Sequence, residues 1–310
     1  MKIAIVGAGA MGCLYGAKLS LIPENQVFLV DVRKDHIDAI NENGLLMEEE
    51  GIPITYNRVK ATSEPRNVGT CDLVILFVKS ILTKEAVRSN KEVFGSETVV
   101  LTLQNGLGNI EAIATQIQEG NIIAGTTAHG ATLLGPGSIK HAGKGKTVIG
   151  ELSGEKTKRL LMIAQVLNQA GLVTDVSDNV MGLIWDKLLV NVGINPLTGL
   201  TGLCNGDLLK YTELEVLLEA AVAEAAEVAR AIDIHLHLQD PVAHTKEVCL
   251  ATASNKSSML QDLTNNRQTE IEMINGAIVK EGYRVGVPTP VNATLTNLVL
   301  FAQKTNKSNA

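Results

Sequence analysis

Two hydrophobic patterns divide the chain near residue 178. In the first part, short runs of consecutive apolar residues alternate with longer amphipathic stretches, and such runs are typical of strands buried on both faces of a parallel sheet. The amphipathic stretches between them have the period of helices. The pattern therefore predicts an α/β fold with a mostly parallel, doubly wound sheet. The predicted strands are residues 2–6, 26–30, 72–78, 98–103, 121–127 and 172–177.

Beyond residue 178, helical periodicity replaces the strand-like runs, and glycine, proline or asparagine marks most of the breaks. We therefore predict an α/β domain over residues 1–178 and an all-helical domain over residues 179–310. Within the first domain, the glycine-rich segment 134–149 predicts a hairpin and residues 155–169 predict a helix. The helices predicted in the second domain are residues 179–194, 214–231, 243–262, 270–281 and 292–304.

A glycine-rich turn follows the first strand at once and leads into a predicted helix at residues 13–21. A GxGxxG pattern between a strand and a helix is the fingerprint of a Rossmann dinucleotide-binding domain. The first glycine permits the tight turn, the second lets the pyrophosphate approach the backbone, and the third lets helix and strand pack closely. The helix N-terminus adds free N–H groups for the phosphates. The predicted pyrophosphate-binding residues are Gly7, Ala8, Gly9, Ala10, Met11 and Gly12.

The second strand ends in Asp31, about 20 residues past the glycines, where an acidic side chain can accept hydrogen bonds from the adenosine ribose. A carboxylate there repels a 2′-phosphate, so Asp31 favours NAD over NADP. Two observations keep other interpretations open. Arg33 can pair with a 2′-phosphate, which leaves NADP possible. Asp31 can also simply cap the helix that follows.

A polar stripe crosses an apolar stretch of the second domain, residues 185–198. Lys187, Asn191 and Asn195 are spaced by four residues, so they share one helix face over roughly 12 Å. Ionisable side chains are seldom buried without a partner, so the stripe indicates a ligand site. Alternatively, the helix is an ordinary amphipathic one whose lysine reaches solvent. Pro196 is expected to end the helix just after Asn195.

A second polar cluster spans residues 255–272. Thr269 and Glu272 form a capping-box pattern, which predicts a new helix after a turn at residues 264–268. That turn returns Glu270 towards Ser258, whereas one straight helix would separate them by about 18 Å. Alternatively, Glu270 only complements the dipole of the new helix.

Other candidates lie at strand ends. Lys79 and Asn105 follow two predicted strands, and ligands of open parallel sheets bind beyond such carboxyl ends. His129 follows another, and we interpret it as a histidine that hydrogen-bonds to loop backbone near the nicotinamide pocket, with a catalytic acid as the alternative. Three further histidines have no possible catalytic or metal-binding partner at a recognisable spacing in the sequence, and we interpret them as surface or loop residues: His235, His237 and His244.

Composition excludes several function classes. The chain has 310 residues, a net charge of −6 and only 3% aromatic residues, so neither a basic patch nor base-stacking platforms for nucleic acid are expected. Its four cysteines lack metal-ligand or CxxC spacing, so we expect no metal site and no disulfide framework. No run reaches the ~20 apolar residues of a membrane span. With a strand starting at Lys2 and no signal peptide ahead of it, we expect a cytoplasmic protein.

Together these motifs resemble the ketopantoate reductase (2-dehydropantoate 2-reductase) family along the whole chain, most specifically in SSMLQDLTNNRQTEIEMING at residues 257–276. The resemblance implies a Rossmann domain followed by a helical domain of the 6-phosphogluconate dehydrogenase type, which often dimerises. It implies Lys187 as proton donor to the substrate C2 oxygen, with Glu270 beside it near the nicotinamide ribose. The cofactor contacts it implies are Lys79, Asn105 and Ala131, alongside the glycine loop. The substrate contacts it implies are Asn105, Lys187, Asn191, Asn195, Asn205, Asn255, Ser257 and Ser258.

One departure affects the expected activity. Members of this family that use NADP typically place an arginine just past the second strand, where this chain has Asp31, Val32 and Arg33. The expected activity is reduction of a 2-oxo acid branched at C3 to an (R)-2-hydroxy acid, with pantothenate synthesis as its setting. The alternative is the similar branch of NAD-dependent D-2-hydroxyacid (D-mandelate) dehydrogenases. A more distant alternative is a dinucleotide sensor without catalysis.

Overall fold

The computed structural model describes the backbone of residues 1–308 and the side chains of residues 1–305. The chain divides into two compact units. The first comprises Met1–Gln104 and Asn109–Val180, and the second comprises Asn105–Gly108 and the chain from Met181 onwards. Within the described residues, no helix is sufficiently long and apolar to cross a bilayer.

An eight-stranded sheet forms the centre of the first unit. Its strands are β1 (Lys2–Val6), β2 (Gln26–Val30), β5 (Val59–Thr62), β6 (Leu73–Leu76), β7 (Val99–Thr102), β8 (Ile122–Thr127), β11 (Thr147–Glu151) and β12 (Thr174–Val176). The order is β12-β11-β8-β7-β6-β1-β2-β5, and only the β8–β11 pair is antiparallel. This is the predicted doubly wound α/β fold, and all six predicted strands lie in the sheet.

Helices cover both faces of this sheet, and each face has its own apolar core. Two successive residues of β1 illustrate the division, because Ala4 packs into one core and Ile5 into the other. Successive side chains of a strand point to opposite faces, so a strand covered on both sides must be apolar throughout. The helices are α1 (Ala10–Leu19), α2 (Lys34–Asn43), α3 (Thr83–Ser89), α4 (Asn109–Ala114) and α5 (Lys158–Gln169).

A four-stranded small sheet is also part of this unit. It contains β3 (Leu45–Glu49), β4 (Ile52–Tyr56), β9 (Gly130–Gly135) and β10 (Ser138–Gly143), in the order β4-β3-β10-β9. The predicted hairpin over 134–149 is therefore wrong in its bounds. Strands β9 and β10 form the hairpin, and β11 leaves it to join the main sheet.

The second unit is helical, as predicted. Its helices are α6 (Val180–Thr201), α7 (Thr212–Ala231), α8 (Pro241–Ala251), α9 (Ser258–Thr264), α10 (Asn275–Val285) and α11 (Pro290–Ser308). They enclose one apolar core, in which Trp185 on α6 is the largest buried side chain. Helices α6 and α7 approach closely at Gly193, where an added Cβ would lie 2.8 Å from a methyl group of Val222.

The prediction that Pro196 ends its helix is wrong, because α6 continues through it to Thr201. Proline has no N–H, so the carbonyl of Val192, four residues earlier, loses its helical hydrogen bond. The side chain of Asn275 replaces that bond, since its Nδ2 donates to the Val192 oxygen at 3.1 Å. Asn275 is itself held by Asn292, whose Oδ1 accepts from the same Nδ2 at 2.9 Å. The side chain of Asn275, distant in sequence, thus allows α6 to continue past Pro196.

The single helix predicted over residues 243–262 is also wrong, because the chain leaves the helix between α8 and α9. The carbonyls of Ala253 and Asn255, freed from helical bonding, accept hydrogen bonds from the backbone N–H groups of Gly206 and Asn205. These exchanges satisfy the backbone without a helix. The break joins two segments that both contain predicted substrate residues.

The predicted capping box is absent from the described structure. Thr269 accepts a hydrogen bond from the N–H of Ile271 instead, and a short 3₁₀ turn, Ile271–Met273, follows. Glu270 therefore lies at the start of this turn, and the regular helix α10 begins only at Asn275. The predicted turn at residues 264–268 agrees with the end of α9 at Thr264.

Candidate active site

The glycine loop has the geometry that a dinucleotide pyrophosphate requires. Gly7 adopts φ = +99°, and a Cβ there would lie 2.6 Å from the backbone nitrogen of Val78. A Cβ at Gly12 would collide with the carbonyl oxygen of Gly7. At Gly9, by contrast, a Cβ would meet no atom within 4 Å, and α1 begins one residue later. The loop is therefore closed on the protein side and open at Gly9, next to the N-terminus of α1, where a helix offers free N–H groups to a phosphate.

Asp31 holds this loop from the next strand. Its Oδ2 accepts the N–H of Ala8 at 2.8 Å, and its Oδ1 accepts the N–H of Arg33 at 3.0 Å. The Arg33 guanidinium lies 3.4 Å from the same Oδ1 and donates to the carbonyl of Ala8 at 3.0 Å. The Asp31 carboxylate and the Arg33 guanidinium are thus bound to each other and to the glycine loop.

The carboxyl ends of β6 and β7 carry the next candidates. Lys79 follows β6 and is half-buried. Gln104, just beyond β7, donates from Nε2 to the carbonyl of Val78 at 2.7 Å and to Thr83 Oγ1 at 2.8 Å. These bonds fix the turn that carries Lys79. Ala131 lies elsewhere, on β9 of the small sheet, where it pairs with His141.

Lys187 lies on α6, with protein atoms packed around its side chain. This burial lowers the pKa of the ammonium from 10.5 to about 8, and the negative charge of Glu270 opposes the shift. The lysine is therefore charged near neutral pH, yet it releases its proton far more readily than a lysine in water. Lys187 and Glu270, the two predicted catalytic residues, are electrostatically coupled within the helical unit.

The rest of the polar stripe lies along the same helix. Asn195 is buried, with 5% of its surface exposed, and Asn191 is half-buried one turn earlier. Asn105 belongs to the same unit, because its loop packs on Met273 beside Glu270. Leu107 donates to the Met273 carbonyl at 2.9 Å, and a Cβ at Gly106 would collide with that oxygen. The stripe and the Asn105 loop are thus parts of one unit.

Asn205 and Asn255 meet where α8 ends. The N–H of Asn205 donates to the carbonyl of Asn255 at 3.0 Å, and Asn205 Nδ2 donates to Thr252 Oγ1 at 2.9 Å. Asn205 Oδ1 is buried and has no hydrogen-bond partner among the described residues. A buried, unsatisfied acceptor is costly, which is consistent with a ligand group that donates to it.

The two predicted serines differ in position. Ser257 is buried and caps α9, because its Oγ accepts the N–H of Leu260 at 3.1 Å, and it lies 2.7 Å from Thr198 Oγ1. Ser258, the first residue of α9, is exposed. Ser257 already has structural partners, so Ser258 is the freer of the two hydroxyls to meet a ligand.

Two structural residues were missed from sequence. Asn275 lies within the family-specific segment but gave no local signal, because its partner Val192 is 83 positions away. Asp186, next to Lys187, accepts from the backbone N–H and Nδ1 of His237 at 3.2 and 3.0 Å. His237 is the loop residue expected, although it has a partner. Only its sequence separation from Asp186 hid the pair.

The matches to family models decide which family this is. The model described as "Ketopantoate reductase PanE/ApbA" matches residues 3–154, and that of the family's C-terminal part matches residues 179–303. The chain belongs to the ketopantoate reductase family. It is an oxidoreductase of that family, as the resemblance implied.

Relatives of the ketopantoate reductase family match over almost their full length. The chain is 35% identical over 305 residues to 2-dehydropantoate 2-reductase of Halobacterium salinarum, covering 98% of this chain and 99% of the relative. It is 36% identical over 299 residues to that of Pyrococcus horikoshii, covering 96% of each.

Two solved structures share the fold. One is the ternary structure of a D-mandelate dehydrogenase with NADH and anilino(oxo)acetate, with a TM-score of 0.93, 32% identity, and coverage of 99% of this chain and 100% of that one. The other is a ketopantoate reductase family protein from Ralstonia eutropha JMP134, with a TM-score of 0.92 and the same identity and coverage. Proteins named for each of the two expected activities are therefore similar in structure to this chain.

Proposed function

We propose that this protein reduces a 2-oxo acid branched at C3 to the (R)-2-hydroxy acid with a nicotinamide cofactor, and that 2-dehydropantoate is the substrate. The observation that carries the proposal is Lys187, a half-buried lysine with a lowered pKa on a helix that also carries Asn191 and Asn195. A ketone reductase needs an acid at the substrate oxygen and neutral groups to hold the rest of the molecule. The helical unit offers both.

Lys187 is the proposed proton donor. As the ketone is reduced, negative charge develops on the C2 oxygen, and a nearby ammonium stabilises that charge before it gives up its proton. A pKa of about 8 suits this step, because the group is charged at neutral pH and is still a stronger acid than an ordinary lysine. Solvent then returns a proton to the neutral amine. Glu270 limits the fall in this pKa and so keeps the donor charged.

Neutral polar residues are proposed to bind the substrate. A carboxylate and a hydroxyl can be bound by amides and hydroxyls without adding a charge that competes with Lys187. The proposed contacts are Asn105, Asn191, Asn195, Asn205, Asn255, Ser257 and Ser258. Among these, the buried and unsatisfied Oδ1 of Asn205 suits a substrate hydroxyl, because it can only accept a hydrogen bond.

The glycine loop fits a nicotinamide dinucleotide. Gly9 leaves open space where a pyrophosphate would lie, and the backbone N–H groups of the loop and α1 would bind it. When bound, the cofactor would supply the hydride. We propose that residues 7–12, Asp31, Lys79, Asn105, Ala131 and Glu270 contact it. NAD is favoured over NADP, because the Asp31 carboxylate repels a 2′-phosphate and Arg33 is already paired with Asp31.

A D-mandelate-type dehydrogenase is the second candidate. Asp31 favours NAD, and the similar D-mandelate dehydrogenase was solved with NADH. The deciding experiment measures kcat/KM for NADH and NADPH, each with 2-dehydropantoate and with benzoylformate. We expect NADH with 2-dehydropantoate to give the highest value. Negligible 2-dehydropantoate turnover beside rapid benzoylformate turnover would establish the second candidate instead, and a strong NADPH preference would contradict the role given to Asp31.

We further propose a cytoplasmic homodimer whose helical domain, residues 179–310, carries both substrate binding and dimerisation. Exposed apolar side chains on that domain support an assembly surface, among them Val216 on α7 and Phe301 on α11. The reaction as proposed needs no metal. Light scattering of the purified protein would give the mass of the particle, and a value of one chain would contradict the dimer.

A further inference from the structure

Three acid–base side chains lie in line between the small sheet and the main sheet. His129, just past β8, has its Nδ1 3.1 Å from Nε2 of His141 on β10. The Nδ1 of His141 is 3.2 Å from Oε1 of Glu49 on β3, and Lys18 on α1 donates to Oε2 of the same carboxylate at 2.8 Å. The side chain of His141 is only 2% exposed. The line therefore joins three elements of one unit and the segment after β8, with the buried His141 at its centre.

The hydrogen atoms in this line can be counted. The N–H of Gly145 donates to His129 Nδ1 at 3.3 Å, so this nitrogen is an acceptor and Nε2 of His141 must donate to it. The Glu49 carboxylate only accepts, so Nδ1 of His141 must donate as well. Both ring nitrogens of a histidine donate only in the imidazolium form. All three contacts are thus hydrogen bonds only when His141 carries an extra proton.

Loss of that proton forces a rearrangement. A neutral His141 that still donates to Glu49 has a bare Nε2, so His129 must donate to it from Nδ1. The N–H of Gly145 would then face another N–H and lose its acceptor. His129 therefore changes tautomer when the pair loses one proton. Its other ring nitrogen, Nε2, is buried and has no hydrogen-bond partner among the described residues in either form.

The surroundings disfavour a proton on His129. Burial, the charge of His141 and that of Lys18 lower the pKa of His129. Burial raises the pKa of Glu49, but hydrogen bonds from Lys18 and His141 outweigh it and hold that pKa below its usual value. Lys144 pairs with Glu50 at 2.8 Å and also lies 3.5 Å from Oε1 of Glu49, so it is a second cation on that carboxylate. The other titratable groups around the line are the phenols of Tyr15 and Tyr56.

We propose that the His129–His141 pair holds one exchangeable proton. With that proton bound, hydrogen bonds connect the loop at Gly145, the segment 128–131 and Glu49, and we call this connection the latch. The latch is closed at low pH, while Glu49 is still ionised, and opens as pH rises. His141 and Glu49 are then positioning residues for the segment that contains Ala131. Because Ala131 is a proposed cofactor contact, the effect on the cofactor rests on the proposed function, whereas the latch itself does not.

Nitrogen-15 NMR of the histidine rings in the intact protein, from pH 5 to pH 10, tests the latch. We expect His141 to change from imidazolium to neutral and His129 to move its proton from Nε2 to Nδ1 at one shared midpoint, where exchange of the Gly145 amide also accelerates. His129 in a single tautomer throughout, or two separate midpoints, would overturn the proposal.

Variants separate this device from ordinary packing. His141→Gln can still donate to His129 but cannot titrate, so His129 should stay in the Nε2–H tautomer at every pH. Glu49→Gln keeps a hydrogen-bond acceptor but removes the negative charge, so the shared midpoint should move to lower pH. An unchanged midpoint would count against the proposal. This second variant keeps the test decisive even if His141→Gln does not fold. The half-exposed His244, beside Glu247, provides the matched control, since His244→Gln should leave the His129–His141 pair unchanged.

Cofactor binding tests the positioning role. Titration of the wild type with NADH by fluorescence should show affinity about three- to tenfold weaker above the midpoint, as for loss of one neutral hydrogen bond. His141→Gln should keep the low-pH affinity throughout. Equal affinity on both sides of the midpoint would refute the positioning role. A wild type that binds neither NADH nor NADPH would instead refute the proposed function and leave the NMR result standing.

Discussion

Lys187→Met should stabilise the protein while it removes the activity. Burial lowers the pKa of Lys187 from 10.5 to about 8, so the folded protein holds this proton less tightly than the unfolded chain does. At about 1.36 kcal/mol per pKa unit, a difference of 2.5 units corresponds to a cost of about 3 kcal/mol. This is an upper value, because the side chain is half-buried and water that reaches the ammonium reduces it. Methionine has a similar length without the charge.

The pH dependence of this effect has a definite sign. Because the folded pKa is the lower one, the cost of Lys187 is fully present below pH 8 and disappears as pH rises towards 10.5. Lys187→Met should therefore unfold at higher urea concentration than the wild type at pH 7, and the two should converge above pH 10. The pKa of about 8 for Lys187 already includes the attraction of Glu270, so the stability cost needs no separate correction for that charge.

Urea unfolding at pH 7 and pH 10 and steady-state turnover of the same two proteins measure both halves of this prediction. We expect a gain of up to about 3 kcal/mol at pH 7, a loss of at least a hundredfold in kcat, and unchanged cofactor affinity. Lower stability of Lys187→Met at pH 7 would refute the desolvated ammonium. Retained kcat would refute the proton donor, whatever the stability.

Further predictions concern pH, the glycine loop, Asp31 and α6. The kcat/KM for 2-oxo acid reduction should fall as pH rises through about 8, because Lys187 must be protonated to donate its proton. A kcat/KM that does not change around pH 8 would indicate that another group is the donor. Gly9→Ala should lose cofactor affinity with little change in Tm, whereas Gly12→Ala should lose both; equal Tm values would contradict the clash with Gly7. Asp31→Asn should weaken NADH binding and narrow the preference over NADPH, and unchanged affinities would exclude its ribose role. Asn275→Leu should leave the carbonyl of Val192 without a hydrogen-bond donor. We expect the free energy of unfolding, measured with urea, to fall by about 1–3 kcal/mol for each buried polar group left unpaired.

Six of the eight strands of the main sheet were predictable because they depend on local patterns, whereas β5 was not predicted and β11 was assigned to a hairpin. Strands buried on both faces must be continuously apolar, so β1, β6 and β8 were recognisable from their own residues. Strands β3 and β4 of the small sheet were missed because they face solvent on part of their surface and mix charged residues and a proline with apolar ones. Half-exposed strands carry a weaker signal, and their pairing depends on partners far along the chain.

The errors in the helical unit also arise from distant contacts. Pro196 would end an isolated helix, but Asn275 supplies the hydrogen bond that it removes. The break between α8 and α9 contains neither glycine nor proline, and the segment at Asn205 stabilises it by binding two free carbonyls. For the site, spacing alone placed Lys187 on one face with its asparagines, but only the structure showed how burial changes its pKa.

Analysis of the reaction product tests the central claim most directly. The wild type would be incubated with 2-dehydropantoate and NADH, and the 2-hydroxy acid would be identified and resolved by chiral chromatography, with Lys187→Met in parallel. The account predicts one (R)-2-hydroxy acid per NADH consumed by the wild type and almost none from the variant. A wild type that binds NADH yet forms no 2-hydroxy acid from 2-dehydropantoate, benzoylformate or other branched 2-oxo acids would contradict it and indicate a dinucleotide-binding protein without this catalysis.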